Sequence, residues 1–171
     1  GAGMRSVESP LPGIGEKVTV YAERDVIVDM FSVDHSPVSP AVGYFVTYKD
    51  RSVLISGDTT VSENVIKFAQ GVDLLVHEAL SVKLVGMMHD AAVASGNLVL
   101  AKITTDIPDY HTTPVEAAQI ARDADVAHLL FYHVVPAMPL PGMADIFLWE
   151  EDEVFEPYTL GEDGTLISMP A

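Results

Sequence analysis

Cysteine is absent from the 171 residues. That removes disulfides, thiolate nucleophiles and Cys-ligated zinc together, and it suits a reducing compartment such as the cytoplasm. Basic residues are scarce: nine Lys and Arg stand against 25 Asp and Glu, for a formal charge of −16. Neutralisation of phosphates by Lys and Arg supplies most nucleic-acid affinity, so the charge predicts no nucleic-acid partner and no anionic membrane partner. No apolar run approaches the roughly 18–20 residues of a membrane-spanning helix. The first ten residues hold no apolar segment of the kind that opens a secreted protein, and Gly1-Ala2-Gly3 before Met4 reads as a cloning remnant. No internal repeat and no low-complexity segment appear.

What is present suits one folded domain. The apolar fraction is 49%, and the length suffices for a core without staples. Residues 1–16 are rich in Gly, Pro and Ser and are expected as a loose lead-in to a folded part spanning 17–171. Val18–Tyr21 and Val26–Val28 flank Glu23-Arg24-Asp25 and predict a hairpin that stays extended through Val33. Ala41–Tyr48 and Ser52–Ser56 flank a second turn at Lys49-Asp50-Arg51. The period then becomes helical. Ser62 is placed to cap a helix that Gly71 stops near Gln70. Leu74-Leu75-Val76 reads as a strand buried on both faces. Leu80 to about Ile103 is helical, with a break near Ser95-Gly96-Asn97. Thr113-Pro114-Val115-Glu116 combines a Thr cap, Pro at the first helical position and Glu at the third. Val126–Tyr132 predicts another buried strand, and Tyr158–Leu160 with Thr165–Ile167 predicts a closing hairpin around Glu162-Asp163-Gly164.

Three apolar strands end in ionisable residues: Asp58 after Ile55-Ser56-Gly57, His77-Glu78 after Leu75-Val76, and His133 after Phe131-Tyr132. Buried strands that feed such groups into their end loops are how α/β folds build sites. His35, before Pro37, joins them. Imidazole with carboxylate suits zinc, manganese or iron. His89 and His128 are expected as surface or packing residues. Trp149 is placed to line a pocket entrance or to pack, and Glu150–Glu153 reads as a solvated acidic face.

Four motifs in order carry a resemblance: Ser56-Gly57-Asp58-Thr59, His77-Glu78-Ala79, Tyr110-His111-Thr112-Thr113 before a capped helix, and a strand ending at His133. Together they resemble the C-terminal half of the metallo-β-lactamase fold, in its ribonuclease Z-like branch, over about residues 26–135. The resemblance implies an α/β layered fold: half of an αββα sandwich, with a mixed sheet and flanking helices. It implies Asp58 as the carboxylate that bridges two metals, with His35 and His133 as terminal metal ligands. It implies His111 beside the scissile bond, as proton donor or oxyanion stabiliser, with His77 and Glu78 supporting from behind.

The signature His-x-His-x-Asp-His is missing, since none of the six His lies two residues from another. By the resemblance three of seven expected ligands remain, so weak or no metal binding and little activity are expected of the chain alone. Only 23 positions separate His35 from Asp58, too few for the long tRNA-gripping arm that many ribonuclease Z proteins carry. With the charge, this predicts a small ester, lactone, sulfate ester or phosphodiester as substrate. A homodimer is expected through an uncovered sheet face, with Val26, Val28, Val42, Phe45, Val46, Val53 and Ile55 on it, unless the tail Pro139–Ala171 folds back over that face; the alternatives to an enzyme fragment are an inactive oligomeric module, or one half of a split enzyme with a separately encoded N-terminal partner. The segment Leu80–Asp109, with Leu84, Val85, Met87, Met88, Leu98, Val99 and Leu100, is either a core or interface element or a lid over an apolar pocket.

Overall fold

The computed structural model describes residues 6, 8–140, 142–148 and 155–170. Trp149 and the acidic run 150–153 lie outside the described residues. One mixed sheet runs in chain order through β1 (Val18–Glu23), β2 (Val26–Ser32), β3 (Val42–Tyr48), β4 (Arg51–Ile55), β5 (Leu74–Leu80), β6 (Leu129–Val135) and β7 (Tyr158–Leu160). The first four strands pair antiparallel, and β4 to β7 pair parallel. The change of direction follows from connection length. Arg24 and Asp25 turn with φ of 51° and 67°, the paired left-handed geometry that matches strand twist in a tight hairpin. From β4 onward helices fill the longer connections, as parallel pairing requires.

Those helices are α1 (Glu63–Phe68), α2 (Val82–Ala94), α3 (Leu98–Asp106), α4 (Pro114–Asp123) and α5 (Met143–Phe147), with a 3-10 turn at Ile107–Tyr110 after α3. The capping box forms as its sequence dictates: Thr113 Oγ1 accepts from Glu116 N–H, and Glu116 accepts from Thr113 N–H at 2.8 Å. Gly96, at φ 72°, divides α2 from α3, and Asn97 caps α3 by accepting from Leu100 N–H at 3.1 Å. Ser62 sits at the cap position of α1 but its hydroxyl makes no capping bond, a correction to its expected role. Among the described residues no helix is long and apolar enough to cross a membrane.

The core lies between the sheet and its helices. Phe31, Leu54, Leu75, Ala79, Leu129 and Phe131 meet Val65 of α1 and Ala117, Ala118 and Ala121 of α4. The alanines let α4 lie close against the strands. β5 is buried along nearly all its length, which explains its unbroken apolar run.

The other sheet face carries two apolar rows in register. Val28, Val46 and Val53 form one, and Met30, Tyr44, Ile55 and Val76 form the next, all half-buried. Phe45 does not belong there. It alternates onto the helix face, packs against the core, and lies 4.2 Å beneath the Lys17 ammonium. The expected closing hairpin is also absent. Thr165 N–H does bond back to Glu162 O at 2.9 Å, but no strand follows and Leu166 is 87% exposed. β7 takes the β6 edge instead, in parallel, with Gly161 N–H extending the ladder to Phe131 O. On the α2–α3 hairpin, Leu84 and Val85 are buried, while Met87, Leu98 and Val99 face solvent rather than any groove near the strand ends.

Candidate active site at the strand ends

β4, β5 and β6 run parallel, so their C-terminal ends open on one side, where α/β sheets hold their ligands. Ser56 N–H continues the ladder to Val76 O at 2.9 Å, and the chain then turns at Gly57 with φ 68°. A Cβ there would lie 2.3 Å from Val42 O, so only glycine permits the turn that delivers Asp58.

His133 arrives by a different device. Glu78 pairs with Tyr132 and Ala79 with Val134, which leaves His133 as an extra residue in β6 at φ 43°. It is a β-bulge residue in left-handed conformation, a strained geometry that concentrates at functional sites. The bulge sets His133 Nε2 3.5 Å from Asp58 Oδ2 and stacks its ring on His111, centroids 5.8 Å apart at 19°. His35 follows β2 in a loop that Thr59 and Thr60 tie down through Asp34. Its Nδ1–H donates to Tyr110 O at 2.8 Å, and its ring stands 5.0 Å from His111. The structure thus brings His35, His111 and His133 into one row of imidazoles, with Asp58 against the last.

Glu78 supports this row from below. Its carboxylate is fully buried, and Oε1 accepts N–H bonds from Thr112 at 3.0 Å and Thr59 at 3.2 Å. His111 Nδ1 lies 3.1 Å from the same oxygen, close but bent away from a straight hydrogen bond, and Glu78 Oε2 is buried without a partner among the described residues. Ser56 Oγ accepts from Glu78 N–H at 3.1 Å, and Thr112 Oγ1 donates to Thr59 O at 2.7 Å. His77 occupies the opposite face of β5. It is fully buried; its Nδ1–H donates to Glu78 O at 2.7 Å and its Nε2 has no partner among the described residues. Burial holds its pKa below the usual histidine range, against the opposing pull of the Glu78 carbonyl and nearby carboxylates. Burial likewise pushes the Tyr132 phenol up, helped by the Asp58 charge and opposed by bonds from Ser56 and Gly57.

The expected ligand trio is met in part. A catalytic zinc usually takes three protein ligands. Asp58 and His133 are in contact, but among the described residues no three His, Asp or Glu side chains are arranged around one ion position. His35 commits its Nδ1 to Tyr110 and packs on His111. The described residues therefore do not compose a complete metal site. His89 and His128 serve packing: Nδ1 of the first lies near Ala101 O and Thr104, and Nε2 of the second lies 2.8 Å from Thr159 Oγ1. Sequence reasoning missed Tyr110, Tyr132 and the bulge at His133. Only the aromatic beside each motif histidine hinted at them.

A mixed sheet with helices packed on one face and histidine and carboxylate groups at its parallel strand ends is the architecture of one half of the metallo-β-lactamase fold. The beta-lactamase superfamily domain matches residues 7–134, and the chain belongs to that superfamily. Ribonuclease Z of Mycolicibacterium gilvum is 31% identical over 140 residues, which cover 80% of this chain and 45% of that protein. A putative ribonuclease Z of Mycobacterium tuberculosis is 32% identical over 124 residues, covering 72% and 50%. The chain is ribonuclease Z-like, and it spans about half the length of the curated relatives it matches. In structure it is similar to human tRNase Z, short form, with TM-score 0.58 and 23% identity over 91% of this chain and 46% of that one. It is also similar to the metallo-beta-lactamase fold protein YhfI of Bacillus subtilis, with TM-score 0.57 and 18% identity over 85% and 49%.

These relatives overturn the expectation that nucleic acid is excluded. The charge of −16 is a sum over this chain, which matches only half of each relative. Net charge bears on the chain's long-range field, not on which groups touch a scissile phosphate or on basic residues that other parts of a protein contribute.

Proposed function

We propose that these residues form one wall of the active site of a metal-dependent RNA phosphodiesterase. The reading replaces the small-ester substrate with a nucleic-acid one, on the strength of the ribonuclease Z relatives. The observation that carries it is the buried Glu78–His111 contact beside the Asp58–His133 pair. A carboxylate beside one imidazole nitrogen orients the ring. Nδ1 of His111 faces Glu78 Oε1 at 3.1 Å, so Nε2 is the nitrogen left for substrate. His111 then gives a proton to the oxygen that leaves phosphorus as water's oxygen bonds to it, the proton that this water gives up restores the one the imidazole lost, and Glu78 holds the ring in place. Asp58 and His133 supply a carboxylate and an imidazole, donors that suit zinc, with manganese or iron as substitutes, ions whose chemistry is to acidify bound water. Two donors in contact are too few for tight binding, so the chain by itself is expected to hold metal weakly and turn over little.

The test uses the chain together with the missing ligand set, as one full-length protein or as two halves mixed. Metal-dependent cleavage of RNA is expected. Asp58→Ala should reduce it at least a hundredfold, and His111→Ala should slow it while metal content holds. Hydrolysis of simple esters without RNA cleavage, or RNA cleavage indifferent to Asp58→Ala, would overturn the reading.

A further inference from the structure

A groove of about 1080 Å³ opens at the His133 end of the imidazole row. Leu130, Met138 and Leu160 form its apolar floor, Tyr132 and His133 stand at its head, and Glu162 and Asp163 lie on its rim. Its chemistry is unlike that of a phosphate site. Among the described residues no Lys or Arg lines it, and the two carboxylates repel a phosphodiester backbone. A flat, apolar ring with amino edges fits it instead. Aromatic side chains hold unstacked bases by stacking, and Asp or Glu accepts from an exocyclic amine. The geometry sets one ring in position for this. Tyr132 stands opposite Glu78 in the sheet and next to His133, so a base resting on it would belong to a nucleotide adjoining the row. The smaller groove at the His35 end offers no equivalent surface. Its Tyr110 ring already contacts both His35 and His111.

We propose that the groove beside His133 is a subsite for the unstacked base next to the scissile phosphate, with Tyr132 as its stacking surface and Glu162 and Asp163 selecting bases that carry an exocyclic amine. It rests on the RNA phosphodiesterase reading, which it deepens. Cytosine differs from uracil at that position by an amine in place of a carbonyl oxygen, so the pair isolates the rim's contribution.

The probes are cytidine and uridine 5′-monophosphates, titrated into the 15N-labelled chain without metal. CMP is expected to bind at least fivefold more tightly than UMP, with the largest amide shifts at Leu130, Tyr132 and Leu160. Tyr132→Leu should weaken both nucleotides roughly tenfold, as loss of a stacking surface does. Tyr132→Phe should restore them. Glu162→Gln with Asp163→Asn should erase the preference for CMP and leave UMP binding unchanged or tighter. Equal binding of the two nucleotides, shifts confined to the His35 groove, or no binding at millimolar nucleotide would each overturn the subsite. RNA cleavage that survives such a result leaves the phosphodiesterase reading standing, because the cleavage assay does not depend on this groove.

Discussion

His111 Nδ1 lies 3.1 Å from Glu78 Oε1, and the two side chains are 5% and 0% exposed. The oxygen that faces the imidazole also collects the backbone N–H groups of Thr59 and Thr112. One buried carboxylate therefore joins the loop after β4 to the loop before α4 and lies against the histidine between them. Stability and site geometry meet at a single residue.

Removing that carboxylate strands two buried N–H donors, each worth about 1–3 kcal/mol when left unpaired. Glu78→Ala is expected to lower the unfolding free energy by about 3 kcal/mol or more. Glu78→Gln keeps an acceptor and should cost about 1 kcal/mol. Urea titrations of the isolated chain measure both. Equal costs for the two variants would show that Glu78 fills space rather than satisfying the two loops.

Much of this was legible in the sequence for a local reason. Apolar runs that stop at Asp58, at His77-Glu78 and at His133 mark strand ends without any partner strand being known. The capping box and the Gly96 break are likewise written in neighbouring residues. What stayed hidden depends on distant pairing. The bulge exists only because β6 slips against β5 between Glu78 and Ala79. Thr165–Ile167 has strand-like composition, yet β7 satisfies its edge on β6 and leaves Leu166 in solvent. Phe45 was assigned to the open sheet face by composition, while its register opposite Leu54 sends it to the core. Nucleic-acid binding is not legible in the charge of −16, because that charge sums over the whole chain and says nothing of the groups at a local site.

Gly57 offers a sharp test of how Asp58 is placed. An alanine at φ 68° pays about 1–2 kcal/mol for the left-handed backbone alone. Its Cβ would also press on Val42 O at 2.3 Å. Gly57→Ala should destabilise the chain by at least ~2 kcal/mol. It should also lower whatever zinc the chain retains, although it removes no donor. A stable variant with unchanged metal content would mean that the β4 turn does not fix the carboxylate.

His77 makes folding sensitive to acid. Burial depresses its pKa in the folded state, so the folded chain resists a proton that the unfolded chain accepts below about pH 6.5. The unfolded state then binds more protons, and stability rises with pH across that window. His77's contribution is fully present above about pH 6.5 and falls, by at most about 1.4 kcal/mol per unit, as the pH drops toward the folded value. Urea midpoints at pH 7.5 and pH 5.5 should differ in the native chain. His77→Leu should shrink that difference whatever its own cost at neutral pH. An unchanged difference would assign the acid sensitivity to the carboxylates instead.

The bulge at His133 carries the last expectation, a trade of stability against metal affinity. A non-glycine residue at φ 43° costs of order 1–3 kcal/mol, and the chain bears this cost where the imidazole reaches Asp58. Asparagine tolerates the left-handed region better than most residues, because its short amide bonds locally. Alanine keeps the strain and contributes nothing to the site. His133→Asn should therefore equal or exceed the native chain in stability, by up to about 1 kcal/mol, and His133→Ala should fall below His133→Asn. Both should abolish whatever rise in melting temperature zinc gives the native chain, since each removes one of the two donors in contact. Thermal melts with and without zinc separate the two effects. If alanine and asparagine prove equally stable, the left-handed bulge holds no strain and the argument that the site is kept at the fold's expense fails.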